Sequence, residues 1–163
     1  MLLMQQLKWL APCRSCEVEN FVSSVNPNSL SRDFAVQFLY QCEADRLYYF
    51  SDEHLSNFLD HFRIESVSKD YLRTITNGVL SNINKLDEII SNHSKNWKIT
   101  RMASTDRVIL RIATFEIIET LAPDKVILNE AIELAKKYGT EHSGAFVNGV
   151  LDAIVADVHK GKD

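Results

Sequence analysis

Residues Pro123 to Asp152, PDKVILNEAIELAKKYGTEHSGAFVNGVLD, leave little choice of fold. Pro123 lacks a backbone N–H and biases Ala122 away from the helical region, so a preceding helix must end there. Asn129 reads as the cap of a new helix, its side-chain oxygen accepting from a free backbone N–H. Glu130 and Glu133 then fall in the first turn, and Lys136 and Lys137 in the last, the arrangement the helix dipole favours. Ala131, Leu134, Ala135 and Tyr138 make one apolar stripe. Gly139 is expected to close the helix in the left-handed conformation. In that case a β-branched residue there costs roughly 1–2 kcal/mol. A second helix is expected from Ser143. Its apolar residues Phe146, Val147, Val150, Leu151, Ile154, Val155 and Val158 follow a helical period and exclude a strand. Gly149 interrupts this face, which suggests the close approach of a neighbour.

The rest of the chain has the same character. Ser31 is expected to open a helix with Phe34, Phe38, Leu39 and Cys42 inward. Ser51 should cap another, with Leu55, Phe58, Leu59 and Phe62 on one face. Ser68 should cap one long helix running to about Ile90, and Ser104 a helix burying Val108, Ile109, Ile112, Phe115 and Leu121. The run Asn77-Gly78-Val79-Leu80 recurs as Asn148-Gly149-Val150-Leu151, a hint of two similar halves with a glycine at each helix crossing. Residues 1–28, broken by Pro12 and Pro27, read as a leader, and 29–160 as one helical domain. Five Gly and three Pro in 163 residues suit an all-α fold.

Enzyme signatures are missing from the sequence: there is no GxGxxG, Walker loop, HExxH or GxSxG. Cys13, Cys16 and Cys42 are too few for a disulfide framework, and the lone CRSC has no second pair to complete a zinc site. His54 and His61 are seven apart, a rise of about 10 Å along a helix, too far for one ion. Glu116 and Glu119 are spaced for one helix face. They read better as a solvated pair, or as partners for a cation such as Arg111, than as an acid–base couple. Neither a metal nor a cofactor is expected. No apolar run approaches the roughly 18–20 residues of a membrane span. Gln5, Gln6 and Lys8 interrupt the apolar start, so the expectation is a cytoplasmic protein and not a secreted one.

The net charge is −4, which does not announce a nucleic-acid binder. Its distribution is uneven. Lys95, Lys98, Arg101, Arg107 and Arg111 are opposed locally only by Asp106, and Trp97 lies among them. Either this run contacts phosphates beside a stacking aromatic, or it is a solvated connector with Trp97 folded into the core. Charge and spacing alone favour the second.

Four blocks carry a family resemblance: SRDFAVQFLYQ (Ser31 to Gln41), DRVILRIATFEI (Asp106 to Ile117), KVILNEAIELAKKYG (Lys125 to Gly139) and FVNGVLD (Phe146 to Asp152). In this order they resemble the NusB family of bacterial transcription antitermination factors, over about Leu30 to Val158. The resemblance implies an all-α, NusB-like fold of two three-helix bundles packed at an angle. It implies binding of the boxA element of ribosomal RNA transcripts together with NusE, a small-subunit ribosomal protein. That assembly holds RNA polymerase in a termination-resistant state, and self-association is known among relatives.

On this resemblance, Arg32, Gln37 and Tyr40 of the first family helix should lie near Phe146 and Asn148 of the last, joined by Lys98 and Arg101. Arg32 would contact phosphate, and Tyr40 or Phe146 would stack on a base. Asp106, Glu116 and His142 would face the partner. Plainer roles compete: core packing for Tyr40 and Phe146, a buried amide for Asn148, a first-turn carboxylate for Asp106. The chain also departs from the family. The arginines expected before Arg32 are replaced by Val25-Asn26-Pro27-Asn28-Ser29-Leu30, and a histidine, His142, stands where relatives tend to be acidic. An adaptor that binds NusE but not RNA is therefore an alternative. A ribosomal RNA methyltransferase is disfavoured, because no α/β domain follows FVNGVLD.

Overall fold

The computed structural model describes residues 26–62, 68–94 and 97–160, without the Phe62 side chain. Cys13, Cys16, Lys95 and nearly all of the expected leader lie outside these residues. Among the described residues there are seven α-helices, one 3-10 turn and no strands.

Helix α1 spans Pro27–Ala44, starting four residues ahead of the expected Ser31. Pro27 breaks nothing, because at the first helical position its missing N–H has no partner to lose. Asn26 caps the end, its Oδ1 accepting from the Asn28 N–H at 3.0 Å. Helix α2 (Asp52–Phe62) follows Ser51, whose Oγ accepts from the His54 N–H at 3.3 Å, the expected cap.

The long helix expected from Ser68 to Ile90 is two helices, α3 (Lys69–Ser81) and α4 (Ile83–His93). Asn82 divides them, at φ −122° and ψ 17°. Its side-chain Nδ2 donates to the Gly78 carbonyl at 2.8 Å. That carbonyl would otherwise serve the helix ladder, a competition to which Asn is prone.

A 3-10 turn, Ile99–Arg101, leads into α5 (Ser104–Glu119). Ala103 occupies the cap position there, not Ser104. Helix α6 (Asp124–Tyr138) starts directly after Pro123, five residues before the expected Asn129 cap, and α7 spans Ser143–Lys160.

The left-handed stop expected at Gly139 occurs instead at Thr120, φ 54°, where the N–H reaches back to the Glu116 and Ile117 carbonyls. Gly139 is extended, φ −97° and ψ −157°. Space is what makes it glycine: a Cβ would stand 2.3 Å from Ser143 Oγ and 2.7 Å from the Ala135 carbonyl oxygen.

Helix α5 organises the molecule. Asp106 and every residue from Val108 to Ile117 are buried. It touches two groups of helices that pack among themselves, α1 with α3 and α7 with α4 and α6. A helix buried all round cannot be amphipathic, and its polar residues must find partners inside. Helices α1 and α2 meet through Phe38, which packs edge-on to Phe58 at 5.4 Å and tilted to His54 at 5.0 Å. The α6–α7 hairpin makes the most extensive helix contact.

The NGVL echo is not a packing repeat. A Cβ on Gly78 would stand 1.9 Å from the Phe115 ring, whereas one on Gly149 meets nothing. Cys42 is a packing residue: burial, with the charge of Asp45, pushes its thiol up to about 11.

Candidate nucleic-acid and partner interface

The expected RNA-contacting arginine is inside the protein. Arg32 shares the inward side of α1 with Ala35, Val36 and Leu39, and it is 2% exposed. Its Nε donates to both Glu116 carboxylate oxygens at 3.0 Å, and its Nη2 donates to Tyr71 Oη at 2.6 Å. Tyr71 Oη also closes on Glu116 Oε1, and burial together with that carboxylate raises its pKa. Glu130 stands 4.0 Å from Arg32 Nη1. Arg32 therefore corrects the expectation of a phosphate contact, and Glu116 that of a partner contact. Glu116 is equally buried, and its partner is Arg32, not Arg111.

A second internal network divides the basic run. Arg111 holds Asp87 of α4 through Nε at 2.7 Å and Nη2 at 2.8 Å, and Glu43 of α1 through Nη1 at 2.7 Å. Arg107 also binds Glu43, through Nε at 3.3 Å and through a close Nη2 contact. Burial alone would raise the Glu43 pKa, but hydrogen bonding and charge from Arg107, with Arg111, hold it below the ordinary carboxylate value. Neither arginine is presented to solvent as the run's charge suggested.

Trp97, Lys98 and Arg101 remain outside. Trp97 is 56% exposed, and its ring lies 6.1 Å from that of Phe146 at 66°, an edge-on pair. Lys98 and Arg101 are exposed beside it in sequence. The expectation of a core tryptophan is therefore reversed. Ser94, buried, holds Trp97: the Trp97 N–H donates to the Ser94 carbonyl at 2.9 Å, and Ser94 Oγ donates to the Trp97 carbonyl at 3.0 Å.

Tyr40 is 40% exposed on α1. Gln37 is half-buried and engaged, its Nε2 donating to Tyr138 Oη at 3.0 Å. Tyr138 in turn donates to Asp33 at 2.8 Å, and Lys137 pairs with the same carboxylate at 2.7 Å. Asn148 is half-buried and donates to Asp152 of its own helix at 2.9 Å, so it is not the amide satisfied by another helix.

At the α6–α7 corner, Asp106 is 8% exposed, and its Oδ2 accepts from Ser143 Oγ at 3.0 Å. Ser143 Oγ also accepts the Thr140 N–H at 2.9 Å. Asp106 thus braces the corner from within, while His142 and Glu141 stand outside it, 3.1 Å apart. Its Oδ1 is buried without a hydrogen-bond partner; burial raises its pKa, and the Ser143 bond only partly opposes this. No group of three or more His, Cys, Asp or Glu among the described residues could hold a metal ion. No helix among them is long and apolar enough to cross a membrane.

The NusB family model matches residues 29–156. A transcription antitermination protein NusB from Anaeromyxobacter dehalogenans strain 2CP-1 is 44% identical over 129 residues, covering 77% of this chain and 88% of that protein. T. maritima NusB superposes with a TM-score of 0.69 at 34% identity, over 85% of this chain and 99% of its own. A crystal structure of antitermination factors NusB and NusE in complex with dsRNA gives a TM-score of 0.70 at 26% identity, over 80% of this chain and 97% of that one.

Proposed function

This chain belongs to the NusB family, and we propose that it is a transcription antitermination factor which binds boxA-type single-stranded RNA together with NusE. It acts by binding and not by catalysis, in the cytoplasm, as part of an RNA polymerase antitermination complex. Residues 29–160 are the binding domain.

The observation that carries this reading is the exposed Trp97 ring set against Phe146, with Lys98 and Arg101 exposed close by in sequence. Every base has a π face, so such a platform accepts unpaired RNA, with stacking worth roughly 1–3 kcal/mol per base. Lys98 and Arg101 contribute phosphate contacts, Asn148, two residues beyond Phe146, extends the surface, and Tyr40 offers a further exposed ring on α1. Arg32 and Gln37 serve it indirectly, by holding α1 to α3, α5 and α6. On the partner side, His142 is the exposed contact and Asp106 its support. The complex of a neighbour's NusB and NusE with dsRNA supports RNA and NusE as ligands of this fold.

The test is a titration of labelled boxA-type RNA at several salt concentrations, with and without NusE. With three or four phosphate contacts the log–log slope should be about −2 to −3. Replacing both Lys98 and Arg101 by Ala should make that slope shallower by about 1.4. Salt-independent binding with no preference over a scrambled RNA would reject the RNA reading. Failure to co-elute with NusE at micromolar concentration would reject the partner reading.

A further inference from the structure

We propose that Arg107 is a positioning residue for RNA binding: it fixes the segment that carries Trp97, Lys98 and Arg101 to a rigid ionic anchor in the helical core. The inference rests on the RNA-binding reading above and deepens it.

All five guanidinium N–H groups are engaged. Nη1 donates to the Ile99 carbonyl and to the Met102 carbonyl, each at 3.0 Å. Nε and Nη2 hold the Glu43 carboxylate, and Nη2 also donates to Ser104 Oγ at 3.2 Å. No donor is left for a phosphate, so Arg107 cannot be a direct contact without giving up one of these bonds. The segment needs such a tie. Residues 99–101 are a single 3-10 turn, too short to be stable alone. On its N-terminal side Ser94 secures Trp97. On its C-terminal side the bonds from Arg107 grip the turn at both ends.

The other end of the tie does not move easily. Glu43 is held a second time by Arg111, which is itself locked on Asp87. The Arg107 guanidinium thus ties α1 and α5 to a surface turn, with α4 joined to the same anchor through Arg111; a lysine ammonium, with three donors and no planar fork, cannot reproduce its part. A platform ordered before RNA arrives loses less entropy on binding.

The experiment uses the full chain carrying Trp9→Phe, so that fluorescence reports Trp97 alone, since these are the two tryptophans. Arg107→Lys keeps the charge and removes the fork. Expected are greater quenching of Trp97 by acrylamide, lower anisotropy, and RNA affinity weaker by about tenfold (about 1.4 kcal/mol). The salt slope and NusE co-elution should stay as in the parent. Should Arg107→Lys fail to fold, Glu43→Gln releases the same tie from its other end and should show the same changes. Unchanged Trp97 fluorescence and unchanged RNA affinity would overturn the proposal. So would a direct phosphate role, seen as a salt slope shallower by about 0.7 in Arg107→Gln but not in Arg107→Lys. A parent that binds no RNA would overturn both this and the functional reading, and the parent titration alone distinguishes that case.

Discussion

Arg32 and Glu116 show how far a charged residue's role depends on where its side chain ends. Each looks exposed by type, yet both are buried, paired with each other and with the half-buried Tyr71. Removing one member of such a pair costs about 3–5 kcal/mol, because the other is left charged and unpaired. The sequence held a signal for Arg32, since it recurs at helical spacing with Val36 and Leu39, but nothing local identified Glu116 as its partner.

Asp106 behaves in the opposite way: it is buried with one oxygen unpartnered, and its pKa is raised. A raised carboxylate pKa means that the folded state binds the proton more tightly than the unfolded chain. Its contribution is therefore most favourable below the ordinary value of 3.8, and is lost as pH rises through the folded value. Asp106→Asn, which keeps an acceptor for Ser143 without the charge, should be as stable as the parent or more so at neutral pH. That advantage should shrink on acidification. Urea midpoints across pH 3–7 check this, and a pH-independent loss above about 1 kcal/mol would contradict it.

At the scale of elements, glycine separates packing from propensity. Gly78 lies against Phe115, so Gly78→Ala forces the ring aside and should cost about 1–3 kcal/mol. Gly149, in the same NGVL context, has open space around its missing Cβ. Gly149→Ala should therefore stabilise the protein by about 0.5–1 kcal/mol through helix propensity alone. Opposite signs in chemical denaturation are the expected result; equal effects would show that packing does not distinguish the two sites. Helix ends were legible only in part. Ser51 caps as its type suggests, but Asn82 breaks a helix that its apolar spacing would carry through, and Pro27 and Pro123 start helices. Apolar periodicity continues across a one-residue break, and proline at a first turn leaves the following pattern intact.

For the whole molecule, the decisive feature is α5, buried along most of its length and in contact with both helical groups. Neither group has a complete core without it, so the described domain should unfold in one step. Urea transitions followed by far-UV circular dichroism and by Trp97 fluorescence in the Trp9→Phe background should superimpose. A separate early fluorescence transition would show that the 97–102 segment is not tied to the core. The all-helical class, the apolar stripes and the NusB resemblance were determined by sequence alone, because helical period and ordered motifs are local properties of the chain. Which charges face water was decided only by tertiary structure. Arg32 meets Glu116 across 84 residues, and Arg107 meets Glu43 across 64. Such pairs form only when the fold brings distant helices together, and no local pattern records that.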